Sequence, residues 1–203
     1  NNGDIIFFDR EHDVISRKLD YLPKNKLTSN QECKLRTDHD GNLWVITVTR
    51  VYMWNPKTNQ WLLSAQDAVR SIGVSEVPEE MAVWDVVVDG DHRLWIATDH
   101  GGLFIIDLTD KSMRQFLTSK YDESTISDNT LRVLYKGQLG RMWVGSYMNG
   151  LNLYTGNASG FRNRELGVIN TICYDRQGYT WLGTNDVGII RDNSRTGEQV
   201  TYN

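Results

Sequence analysis

Four tryptophans, each set in a near-copy of one short pattern, constrain this 203-residue chain more than any other feature. The copies run from Asp38 to Tyr52, Asp89 to Leu103, Gly137 to Leu151 and Asp175 to Ile189, and their anchors are Trp44, Trp95, Trp143 and Trp181. The anchors lie 51, 48 and 38 residues apart. A period of about 40–50 residues is that of stacked units which cannot bury their faces alone.

Each copy has the same physical parts. Gly41, Gly140 and Gly178 stand three residues before the tryptophan, usually with an Asp three residues earlier. Asp-x-x-Gly is turn chemistry: the Asp side chain caps the turn and the Gly supplies a positive φ. A small residue follows two positions after the tryptophan (Ala97, Gly145, Gly183), then Thr98, Ser146 or Thr184. Gly102, Gly150 and Gly188 come seven residues after it, each followed by Leu or Ile. The copies drift: Val51 takes the place of the second Gly in the first, His92 that of the turn Gly in the second, and Gly137 that of the turn Asp in the third. Leu35, Val86, Leu134 and Ile172 fill one equivalent apolar position before the turn.

Short β-rich runs between Gly- and Asp-rich turns read as antiparallel strands. The reading is an all-β fold, a β-propeller of four-stranded blades. In each blade strand A precedes the turn, as in Thr171 to Tyr174, and strand B carries the tryptophan. Strand C follows the second Gly. Strand D is the more variable stretch that holds Gln60-Trp61-Leu62 and Gln199-Val200-Thr201. The expected blades span roughly 26–65, 80–117, 127–163 and 166–203, with a half blade over 1–25 whose Gly3 to Asp9 resembles a strand C. Four and a half blades suggest a fragment of a seven-bladed ring. The anchor tryptophans are expected to pack between blades, and Cys173 to be a small core residue.

Composition excludes several classes. The net charge of −4 and the absence of any Lys/Arg run beyond two residues argue against a nucleic-acid track. No apolar run approaches the roughly 18 residues that span a bilayer. The two cysteines, Cys33 and Cys173, form neither a metal motif nor a disulfide framework. His12, His39, His92 and His100 lie in separate turns and loops, with no pair at ligand spacing, so no metal or other cofactor is expected. No nucleophile elbow or phosphate loop is present. Asn157-Ala158-Ser159 fits a glycosylation sequon and is read as incidental.

The pattern Asp-x-x-Gly-x-Leu-Trp-[Val/Ile]-[Gly/Ala]-Thr-x-x-x-Gly-Leu resembles the two-component regulator propeller repeat over nearly the whole chain. Thr125 to Arg132 resembles that family's lead into strand A, and Leu27 to Asn30 resembles it more faintly. The resemblance implies the periplasmic sensor region of a hybrid two-component histidine kinase of the Bacteroides type. In such proteins two seven-bladed propellers precede an immunoglobulin-like domain, a membrane helix and cytoplasmic kinase, receiver and DNA-binding parts. Many of those systems sense glycan breakdown products. By this reading the region is non-catalytic and meets the membrane only through other parts of its parent.

In such a blade the A–B and C–D turns face one side, and the B–C and D–A loops face the other around the channel. The B–C loops carry Thr49-Arg50, Asp99-His100, Tyr147-Met148-Asn149 and Asn185-Asp186. The starts of strand A add Trp84, Arg132 and Asn170, at a position taken by Cys33 in the first blade. This mixture suits an oligosaccharide: rings stack on sugar faces, and Asp, Asn and Arg satisfy hydroxyls or acidic groups. The candidate ligand-binding residues are therefore Trp84, Arg132, Asn170, Arg50, Asp99, His100, Tyr147, Asn149, Asn185 and Asp186. Two alternatives stand beside the sensor. One is a protein-interaction platform, including a homodimer through this region. The other is an enzyme similar to the streptogramin lyases, with His100 and Asp99 in the active role.

Overall fold

A computed structural model describes residues 5–19, 33–47, 50–137, 140–154, 160–193 and 196–203, the stretch 16–19 as backbone only. Thr49, the Leu27–Asn30 stretch and the Asn157 sequon lie outside the described residues. Strands β1 (Ile5–Asp9) and β2 (Val14–Leu19) form a two-stranded sheet. Four four-stranded sheets follow. The first holds β3 (Cys33–Thr37), β4 (Leu43–Thr47), β5 (Val51–Asn55) and β6 (Gln60–Leu62). A short helix, α1 (Ala65–Ser71), leads to the second, made of β7 (Val83–Val88), β8 (Arg93–Thr98), β9 (Leu103–Asp107) and β10 (Met113–Phe116). The third holds β11 (Leu131–Lys136), β12 (Met142–Ser146), β13 (Leu151–Tyr154) and β14 (Phe161–Arg164). The fourth holds β15 (Ile169–Tyr174), β16 (Thr180–Thr184), β17 (Ile189–Asp192) and β18 (Gln199–Tyr202). Each sheet is an antiparallel meander in chain order, as the A–D reading requires. The first strands of neighbouring sheets, β3, β7, β11 and β15, lie against one another and form the inner rim.

The turn Asp does more than cap its turn. In the second sheet one Asp89 oxygen accepts the backbone N–H groups of Asp91 (2.8 Å) and Arg93 (3.0 Å). The other accepts the Trp95 indole N–H at 2.8 Å and the Arg93 Nε at 2.7 Å. Asp38 holds the Trp44 indole in the same way at 2.9 Å, and Asp175 holds that of Trp181 at 2.7 Å. One carboxylate therefore fixes both the A–B turn and the orientation of the buried ring, which explains the six-residue Asp-to-Trp spacing. Gly137 replaces Asp in the third sheet, and a Cβ there would stand 3.0 Å from the Trp143 indole nitrogen. His92 takes the turn-Gly place with a φ of +64°, a left-handed conformation that His tolerates better than β-branched residues.

The core lies between sheets. Trp44, Ile46 and Met53 pack against Val86, Leu94 and Phe104 of the second sheet. Trp95 and Ile105 of the second sheet meet Leu134, Met142 and Phe161 of the third. Trp143 and Leu151 of the third meet Ile172, Leu182 and Ile190 of the fourth. Trp181 packs on Tyr202 at 5.8 Å. Truncating a ring such as Trp95 should cost about 3–5 kcal/mol. Cys173 corrects an expectation: it pairs with Trp181 on an uncovered face and is exposed. Leu35 is likewise exposed, unlike its counterparts Val86, Leu134 and Ile172. It lies on the other face of the first sheet, where the cluster against Ile5 and Phe7 gathers Leu43, Val45, Tyr52 and Trp54.

Helix α1 occupies sequence assigned to no blade. Ser64 caps it by accepting the Asp67 N–H at 3.1 Å, and Ala65, Ala68 and Val69 are buried with Val74 and Met81 among the side chains of the first two sheets.

The glycines differ in what holds them. A Cβ on Gly150 (φ +80°) would fall 2.0 Å from the Arg164 carbonyl oxygen, because the end of strand D runs across it. Gly140 (φ +71°) has open space around it. Gly140→Ala should therefore cost only the left-handed penalty, about 1–2 kcal/mol. Gly150→Ala should cost clearly more, as parallel urea unfolding curves will show. The Asp–Trp pair makes a second prediction. Hydrogen bonding, first from the Trp181 indole, lowers the Asp175 pKa below its ordinary 3.8. Its stabilisation is thus fully present above the unfolded carboxylate pKa and is lost as pH falls through the lowered folded value. In Trp181→Phe, the Asp175 carboxyl resonance should titrate at a higher pH than in the parent.

Candidate functional site

The B–C loops are fastened alike. A hydroxyl three residues after each tryptophan donates to the carbonyl of the loop's last residue: Thr98 to Gly102 (2.7 Å), Ser146 to Gly150 (2.9 Å) and Thr184 to Gly188 (2.9 Å). In the first sheet Thr47 donates to Arg50 at 2.9 Å, and Val51 pairs with Ile46 as Leu103 pairs with Ala97. Arg50, not Val51, therefore replaces the second Gly, and that loop is one residue shorter. Each longer loop also donates its first N–H to the D–A segment of its own sheet: Asp99 to Ala82 (2.8 Å), Tyr147 to Thr130 (2.9 Å) and Asn185 to Val168 (3.4 Å). The B–C loops and the starts of strand A thus share one face.

Strand A enters each of the last three sheets through a register shift, between Val83 and Asp85, Leu131 and Val133, and Ile169 and Thr171. The extra residues are Trp84, Arg132 and Asn170. A bulge re-aims a side chain out of the pleat, so these positions are released from the inter-sheet core. The first sheet departs from expectation. Cys33 stands opposite Thr47, the place of Leu131 opposite Ser146, and the described register has no bulge. Cys33 is therefore not the counterpart of Trp84.

The structure brings Trp84, Arg132 and Tyr147 together. The Arg132 guanidinium carbon lies 4.9 Å from the Trp84 ring centre and 4.5 Å from that of Tyr147. Two aromatic rings from neighbouring sheets thus hold one cation. Trp84 also lines a cleft of about 280 Å³ with Arg50 and Asp99. Ser64, Gln66, Met81 and Val83 share its wall, so α1 builds part of the site. His100 is largely exposed and holds Asp99 at 2.8 Å. Asn149 donates to the Ser127 carbonyl at 3.2 Å. Asn170 donates to Asn185 on the fourth sheet, and Asp186 is exposed beside them. Among the described residues no hydrogen bond, ion pair or ring contact joins these last three to the Trp84–Arg132–Tyr147 group.

Beneath the rim lies a group that residue spacing did not reveal. Asp85 is completely buried. Its carboxylate accepts the Leu134 N–H from the third sheet at 3.1 Å and the Arg36 guanidinium from the first at 3.2 Å. Lys34 stands 3.7 Å away and donates to the Arg132 carbonyl at 2.9 Å and to the Trp84 carbonyl at 3.3 Å. One carboxylate on the second sheet therefore ties the inner strands of three sheets. Burial pushes the Lys34 pKa down from its ordinary value, against the pull of Asp85. The available signal was a charged residue where the third sheet has Val133.

On the opposite face, the His39 and His92 rings lie 4.7 Å apart, edge to face, because the A–B turns of adjacent sheets are neighbours. The pair is assembled across sheets, where sequence spacing within one repeat does not register it. Among the described residues, no group of three or more His, Cys, Asp or Glu side chains is arranged to hold a metal ion.

Against this geometry, the family model of the two component regulator propeller matches residues 165–186, which run from the lead into β15 through β16 into its B–C loop. This stretch of the fourth sheet is similar to a two-component regulator propeller repeat. No curated protein matches the chain. Among solved structures, the chain is similar to the extracellular domain of a B. thetaiotaomicron protein described as a hybrid two component system. The TM-score is 0.65 and the identity 22%, over 98% of this chain and 24% of that one. A second B. thetaiotaomicron extracellular domain, described as a one component system, gives a TM-score of 0.57 at 16% identity, over 86% and 28%. A catalytically inactive virginiamycin B lyase from Staphylococcus aureus with quinupristin gives 0.59 at 14%, over 86% and 57%. These likenesses establish the propeller fold. The chain spans about a quarter of the length of the two extracellular domains.

Removing the Asp85 carboxylate should leave the Leu134 N–H and one Arg36 N–H without their acceptor and Lys34 and Arg36 without their counter-charge. Loss of one partner of a buried pair costs about 3–5 kcal/mol, and the partial exposure of both cations puts this case at the lower end. Asp85→Ala should lower the urea midpoint accordingly, and Asp85→Asn should lower it less.

Proposed function

We propose that this chain is the ligand-binding part of an extracytoplasmic sensor in a two-component system, and that its ligand is an oligosaccharide. The observation that carries the reading is the meeting of Trp84, Arg132 and Tyr147 from two sheets on the B–C face, beside the cleft lined by Arg50 and Asp99. Flat rings and fixed polar groups at a partly open cleft are what a polyhydroxylated ligand needs. The repeat and the likeness to extracellular domains of two-component systems support the sensing role and the extracytoplasmic location. Among the described residues no helix is long and apolar enough to cross a membrane. The site is read as non-catalytic: His100, paired with Asp99, is largely exposed at a loop tip, where it can orient a ligand.

A thermal-shift panel of neutral and acidic oligosaccharides tests the proposal. A ligand at about a hundred times its dissociation constant should add roughly 2.7 kcal/mol to stability. The shift should vanish in Trp84→Ala and persist in Asn170→Ala. A folded protein silent to the whole panel, but dimeric by light scattering, would move the reading to an interaction platform.

A further inference from the structure

The charges around the aromatic pair are unbalanced. The Arg132 guanidinium lies against both the Trp84 and the Tyr147 ring, and among the described residues it makes no hydrogen bond or ion pair. Its Nε is buried without a partner. A buried donor left unsatisfied is costly in a folded protein and calls for an explanation.

Three carboxylates of this rim are engaged elsewhere. Asp85 serves Arg36, Lys34 and the Leu134 N–H. Asp99 is held by His100 at 2.8 Å and by the Thr130 hydroxyl at 3.3 Å. Asp128 accepts the N–H groups of Thr130 (3.0 Å) and Met148 (3.2 Å). Lys34 and Arg36 both stand against the buried carboxylate of Asp85, so that carboxylate is not the counter-ion of Arg132.

We infer that Arg132 is an oxyanion receptor, and that the ligand of this rim carries a carboxylate or sulfate group, as in a uronate-containing or sulfated saccharide. The inference rests on the sensor reading above and adds the charge of the ligand. Contact with two rings orients the guanidinium and leaves its N–H edge without an acceptor among the described residues. That edge matches a carboxylate or sulfate bidentately, and a preformed orientation reduces the ordering cost of binding. A neutral sugar would leave the guanidinium uncompensated.

The test is an NMR titration of the Arg132 Nε–H, assigned by its disappearance in Arg132→Lys. The probes are methyl glucuronide, inorganic sulfate and methyl glucoside, at constant ionic strength. A saturating shift with methyl glucuronide or sulfate, and none with methyl glucoside, is the expected result. Comparing the two anion affinities shows whether the sugar ring adds to the charge. Arg132→Gln should weaken methyl glucuronide at least about tenfold. An Nε–H unmoved, or moved only in a non-saturating way, by both anions overturns the inference. If the Tyr147 and Asn149 amides still respond to methyl glucoside in that case, the sensor reading survives with a neutral ligand. If no rim resonance responds to any probe, both fall.

Discussion

Each four-stranded sheet of this chain is apolar on both faces, and that is the constraint from which the architecture follows. Hydrogen bonding completes a sheet internally but leaves its large rings in water, and only a neighbour on either side removes them. Stability is therefore shared between sheets. In three of the four sheets an indole–carboxylate pair makes that sharing specific, because it fixes which way the ring points. At the inner rim, where strands converge and apolar area is small, a buried carboxylate bound to two flanking sheets replaces hydrophobic contact.

The two ends of the sheets are built for different purposes. On the A–B side, side chains are spent on one another: Asp38, Asp89 and Asp175 each satisfy several donors at once. On the B–C side, the backbone and one hydroxyl per loop set the common loop form, and the side chains that make further contacts differ from sheet to sheet. That variation on a shared loop form is what makes the side suitable for recognition.

The repeat, the strand order and the inter-sheet role of three of the tryptophans were legible because they rest on local chemistry repeated four times. The face of the candidate residues was legible for the same reason. The bulges were not, since one extra residue in a strand leaves no mark when its identity changes from Trp to Arg to Asn. The shift from Val51 to Arg50 was hidden likewise, because a loop shortened by one residue still aligns on its tryptophan. Helix α1 is only seven residues long and carries too few apolar positions for a clear helical period. The role of Asp85 depends on partners about 50 residues away in both directions, two cations on one side and a backbone N–H on the other, and no pattern within one repeat encodes such a contact. The partnership of Trp84, Arg132 and Tyr147 is of the same kind, joining chemistry from separate copies.

The bulge at the head of strand A has a consequence for diversification. It places one side chain per sheet outside the pleat, where its size and charge are insulated from the packed interior. Trp84, Arg132 and Asn170 differ in every chemical respect, yet their sheets share one backbone course. A rim composed of such positions can exchange its chemistry one substitution at a time at little cost to folding. The scaffold thereby behaves as a keyboard, in which each sheet contributes one independently replaceable key to whatever the channel mouth recognises.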